Sequence, residues 1–137
     1  MDMAFNTSDN APASWSMTSE LQEIADTDPG MIPELLILFL DDSATRLQTL
    51  TSACVREDFK IIRNQAHSLK GSALQMGASG MASLCAALEV SDRPGAEQRE
   101  AMRRAIDDEF VLVRRAIEQY RATGVSPRKG QRAVVAG

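Results

Sequence analysis

The stretch Phe59–Gly77, FKIIRNQAHSLKGSALQMG, decides the fold. Phe59, Ile62, Ala66, Leu69, Ala73 and Met76 recur three and four residues apart, so a helix over about 56–75 carries one continuous apolar face. Gly77 is a natural stop. A stripe this long must be covered by other helices, and the flanking sequence supplies them. Upstream, a helix over about 31–54 places Leu35, Leu36, Phe39, Ser43, Leu47, Leu50 and Cys54 on one side. Downstream, a helix over about 79–90 turns Met81, Leu84, Cys85 and Leu88 inward, and Ser91-Asp92-Arg93-Pro94-Gly95 ends it as a turn. A last helix over about 96–122 buries Met102, Ile106, Phe110, Val113, Ile117 and Tyr120. Its other face mixes charges, with Glu100–Arg104 and Arg114–Glu118 at helical spacing, as a solvated surface does.

A shorter helix, about 19–26, precedes these with Leu21 and Ile24. Ser19 followed by Gln22 fits a capping box, and Asp28 is placed to cap the next helix with Pro29 in its first turn. Four long amphipathic segments, short connections and no strand pattern predict an all-α protein. Its expected architecture is an antiparallel up-down four-helix bundle over 18–123, with a short extra N-terminal helix. Residues 1–17 and 124–137 lack an apolar period and are expected to be flexible tails.

Composition narrows the function. The 137 residues are 44% hydrophobic and 25% charged, an ordinary globular balance. With a net charge of −4 and no concentrated basic stretch, nucleic acid is not an expected ligand. The longest apolar run, Leu35–Leu40, is too short to span a bilayer, and Met1–Ser16 lacks the features of a secretory signal. No membrane association, a cytoplasmic location and a monomer are expected; Met1 and the polar tails suggest a stand-alone protein. Cys54 and Cys85 fit buried free thiols, and a chain with one histidine lacks the ligands for a Cys/His metal site.

That histidine, His67, follows Ala66 of the inward stripe and so points about 100° away from the core. Lys60, Arg63, Asn64, Lys70, Gly71 and Leu74 share its face. Position alone fits an idle solvated imidazole, but three residues argue otherwise. Gly71, one turn on, costs about 1 kcal/mol against alanine in a helix interior and opens space beside the ring. Lys70 adds a charge suited to a phosphoryl group or to a partner's carboxylates. Glu89 follows from geometry: His67 lies eleven residues before Ala78 and Glu89 eleven after it. In an antiparallel pair both then sit about 16 Å from the bend, where the carboxylate can accept the Nδ1–H and leave Nε2 as the nucleophile.

Ala66-His67-Ser68-Leu69-Lys70-Gly71-Ser72, then Gly77-Ala78, Leu84-Cys85 and Leu88-Glu89, resembles the signature of the histidine phosphotransfer (HPt) family. The similarity extends over about 19–122, through Leu35-Leu36, Phe39-Leu40 and Glu109-Phe110, with Met76 and Met81 where leucine is commoner. It implies a phosphocarrier of a two-component phosphorelay, with His67 phosphorylated, Lys70 and Gly71 supporting it, and Glu89 orienting the ring. The partners it implies are receiver domains of a hybrid histidine kinase or a response regulator, and those domains bring the Mg²⁺. No Walker loop, kinase-like glycine motif or tight acidic cluster is present, so neither ATP binding nor autokinase activity is expected. An adaptor or kinase-inhibitor bundle would bind partners without using His67, and a metal- or haem-binding bundle fails for want of ligands.

Overall fold

The structure, a computed structural model, describes residues 14–125. Of the tails expected at 1–17 and 124–137, residues 1–13 and 126–137 lie outside it. Five helices follow in order: α1 (Ser19–Thr27), α2 (Met31–Arg56), α3 (Phe59–Met76), α4 (Ser79–Val90) and α5 (Ala96–Thr123). The last four form the bundle. Each packs on its successor, α5 closes back on α2, and α1 lies against α2. Among the described residues there is no strand.

The predicted stripes form the core. Leu36, Phe39, Ser43, Leu47, Leu50 and Cys54 of α2 are buried, as are Ile62, Ala66, Leu69 and Ala73 of α3. They meet Met81, Cys85 and Leu88 of α4 and Ile106, Phe110, Val113 and Ile117 of α5. Alanine at 66 and 73 leaves room for α4, and α3–α4 is the most extensive helix pair. Both cysteines are free and buried; burial pushes the Cys85 thiol up to about 12, so it packs as a hydrophobe. On α5, Arg104 lies 3.4 Å from Glu100 as the spacing suggested, whereas the Arg114 guanidinium covers the Phe110 ring.

Local chemistry differs from the sequence reading at several ends. Thr18, not Ser19, caps α1, its hydroxyl accepting from the Leu21 N–H at 3.0 Å, while Gln22 reaches forward to Asp26. Gly30 rather than Asp28 precedes α2; Asp28 contributes only its carbonyl, to the Met31 N–H. Arg99 belongs to the inward stripe of α5 and is buried. Its guanidinium donates to the Cys54 and Pro94 carbonyls and covers Phe59, which ties the exposed end of α2 to the α4–α5 turn.

The largest departure is at the start. Residues 14–17, read as tail, are part of the fold. Trp15 is fully buried, its indole N–H donates to the Met76 carbonyl at 2.6 Å, and its ring lies 5.4 Å from that of Tyr120. The Ser16 N–H donates to the Gly77 carbonyl at 3.1 Å. This segment presses on the α3–α4 turn, where Gly77 has φ +90° and a Cβ would lie 2.0 Å from the Ser16 carbonyl oxygen. Gly124 ends α5 with φ +75° but has nothing within 4 Å of a Cβ position.

The two glycines therefore separate backbone strain from close approach. Gly124→Ala should cost about 1 kcal/mol, the left-handed conformation alone. Gly77→Ala should cost clearly more, about 2–4 kcal/mol, because a backbone carbonyl must also move. Urea unfolding of both variants checks this, and equal losses would show that the Ser16 contact carries no constraint.

Candidate functional site

His67 sits midway along α3 with a side chain 68% exposed, between the buried core residues Ala66 and Leu69. Its position follows from the stripe: the same periodicity that buries Ala66 turns the next residue outward. The two-residue turn at Gly77-Ala78 then sends α4 back antiparallel and brings Glu89 level with His67. The Glu89 Oε2 is 2.7 Å from His67 Nδ1, and its Oε1 is 2.7 Å from Lys70 Nζ. One carboxylate thus holds two residues of α3 that are three positions apart.

Glu89 is only 20% exposed at its side chain, yet its carboxyl is held below the usual carboxylate range, first by the Lys70 ammonium and then by His67. It is ionised at neutral pH and can only accept hydrogen bonds. The shared proton therefore belongs to His67 Nδ1, and in the neutral ring the lone pair is on Nε2. That nitrogen has no hydrogen-bond partner among the described residues, on a side chain 68% exposed.

The four expected site residues are together. Lys70 departs in one respect, because its ammonium is engaged with Glu89 inside the site. Gly71 is exposed, and a Cβ there would meet nothing within 4 Å. The chain's own packing does not require glycine at this position. Lys60 and Arg63 extend the exposed face below His67 and form no ion pair among the described residues. Above it, the exposed Leu74 lines a groove of about 510 Å³ whose walls include Leu21, Ile24, Leu35 and Met76, and Leu38 is a further exposed leucine, on α2. The groove's α1 wall is not legible in the sequence, since periodicity gives the inward face of α1 but not where that helix seats on the bundle.

Among the described residues no cluster of three or more His, Cys, Asp or Glu is placed to hold a metal ion, and no helix is long and apolar enough to cross a membrane.

The Glu89 arrangement has a pH consequence. A carboxyl depressed in the folded state contributes stability above its ordinary pKa, and this is lost as pH falls through the folded value. Lys70→Met keeps the aliphatic stem and removes the largest cause of the depression. The Glu89 titration, followed by carboxyl-carbon NMR, should move up toward the ordinary value in this variant. An unmoved titration would mean that Lys70 does not hold the carboxylate.

Residues 34–123 match the model of the Hpt domain family. The crystal structure of histidine-containing phosphotransfer protein B (HptB) from Pseudomonas aeruginosa PAO1 is similar to this chain, with 31% sequence identity and a TM-score of 0.68 over 80% of this chain and 96% of that one. No curated protein matches it.

Proposed function

From the premise that this chain belongs to the Hpt domain family, and is a histidine phosphotransfer protein of a phosphorelay, we propose that His67 is the residue phosphorylated. The observation that carries this is the Nδ1–Glu89 contact of 2.7 Å on a ring whose side chain is 68% exposed. The nitrogen that must not react is occupied, and the one that reacts faces outward. In the forward step Nε2 attacks the phosphorus of a receiver's aspartyl phosphate. The N–P bond forms as the acyl P–O bond breaks, and the aspartate leaves as a carboxylate. The Nδ1 proton stays on the ring, where Glu89 offsets the positive charge that develops. The reverse sequence delivers the group to another receiver.

Phosphoryl transfer asks little more of this chain than position and charge. Lys70 and Glu89 form a near-neutral pair that keeps the ring's orientation, while Lys60 and Arg63 favour approach of a receiver's acidic pocket. The divalent cation is the receiver's. Bare backbone at Gly71 lets the partner come close to Nε2. Leu74, Leu38 and the neighbouring groove provide the apolar part of a small, transient interface. As a family of carriers, these proteins have no kinase activity of their own; we extend this to the absence of an ATP site here. The adaptor reading gains nothing from the site, since an adaptor needs neither the held tautomer nor the glycine.

Incubating the chain with a panel of phosphorylated receiver domains and following the label tests the assignment. The product should be acid-labile and base-stable, and His67→Gln should abolish it. Label retained by that variant would place the phosphoryl group elsewhere.

Gly71→Gln adds a side chain where the molecule itself leaves space. Helix content and thermal stability should hold or rise, by up to about 1 kcal/mol. Transfer should slow at the same time. A substituted protein that transfers at the original rate would show that no partner surface comes near this position.

A further inference from the structure

The groove beside Leu74 has walls of unequal security. Leu35 belongs to α2 and Leu74 and Met76 to α3, helices fixed by the bundle core, whereas Leu21 and Ile24 come from α1. That helix has nine residues, and Leu21 is the residue of it that is fully buried. A helix so short is marginal by itself, and of its apolar residues Leu21 is buried while Ile24 and Ala25 are only partly so. At its far end it joins α2 through Asp28-Pro29-Gly30, where the Asp28 N–H donates to the Ile24 carbonyl and the Met31 N–H to the Asp28 carbonyl. Its near end continues directly from Trp15 through Thr18, the residue that caps it.

We infer that Trp15 is a positioning residue for partner docking: it fixes α1 as one wall of the groove, and so sets the fit of a receiver domain without taking part in the chemistry at His67. The inference rests on the reading of this groove as part of the receiver interface. Three contacts carry it. The indole N–H takes up the carbonyl of Met76, the last residue of α3 and itself a groove residue. The Ser16 N–H takes up the next carbonyl, that of Gly77. The indole ring packs on Tyr120 of α5 and is fully buried. These two carbonyls are orphans of the α3 C-terminus, so the anchor satisfies groups that the helix cannot satisfy internally. None of the three contacts involves His67, Lys70 or Glu89.

The division of labour predicts a split between KM and kcat. Trp15→Phe keeps most of the ring against Tyr120 and removes the N–H; Trp15→Ala removes both. Transfer would be measured against concentration of the receiver domain that best phosphorylates the unmodified chain in the panel above. KM should rise by a factor of about 5 in Trp15→Phe and more in Trp15→Ala, the scale of losing an interface contact worth about 1 kcal/mol. The kcat should stay within about twofold, and the His67 Nδ1–H resonance should not move. Unchanged KM in both variants, or a fall in kcat at constant KM, would overturn the inference; should Trp15→Ala fail to fold, Trp15→Phe decides alone. Leu74→Glu serves as the control. If it raises KM while the Trp15 variants do not, the inference fails and the docking surface stands. If it leaves KM unchanged, the docking surface itself is wrong and the inference falls with it.

Discussion

At Gly77 the chain turns with φ +90° against a carbonyl oxygen that would lie 2.0 Å from any Cβ. A two-residue connection there leaves α3 and α4 no freedom to slide, because a slip of one residue would rotate each apolar stripe by about 100° out of the core. Register is thereby fixed at positions far from the turn. His67 and Glu89 meet ten and twelve residues from Gly77 on their respective helices, and Lys70 joins them from the next turn of α3. The same turn accepts the Ser16 N–H, so the beginning of the described chain and the site helix are held by one feature.

The site that results is electrically economical. Glu89 is paired on one oxygen with an ammonium and on the other with an imidazole N–H, and Lys70 is the larger cause of its depressed pKa. The carboxylate therefore stays charged and remains an acceptor, which fixes the tautomer of a histidine that is otherwise open to solvent. Exposure and orientation usually oppose one another, since a solvated ring samples rotamers freely. Here a partly buried carboxylate on the neighbouring helix supplies the orientation, and the exposed edge of the ring is left for the partner. Membership of the Hpt family agrees with a site built for transfer between proteins, where the second protein must reach the nucleophile.

Much of this was legible in the sequence for a definite reason. Periodicity of three and four reports burial directly, so the stripes through Ile62, Ala66 and Leu69 or Ile106, Phe110 and Val113 translate into core without knowledge of the partners. A short turn between two such helices also makes cross-helix register a matter of counting, which is how Glu89 comes to stand opposite His67. Contacts that do not repeat were illegible. Trp15 lies among Ser, Asn and Pro, with no period to reveal that it inserts beneath the bundle's end. Arg99 could have been suspected, because it stands three residues before Met102 on the inward stripe, but its partners are main-chain carbonyls that leave no trace in a side-chain pattern. Helical spacing leaves Lys70 free to face a phosphoryl group or a partner's carboxylates, because it gives direction about one axis only. The ion pair depends on a carboxylate from the other helix.

If Glu89 keeps the proton on Nδ1, Nε2 of His67 alone is the phosphorylated atom. Phosphorus–nitrogen correlation NMR on the nitrogen-15-labelled, phosphorylated chain reads this directly. The account predicts coupling of phosphorus to Nε2, with Nδ1 still bearing its proton toward Glu89. Coupling to Nδ1 would contradict it.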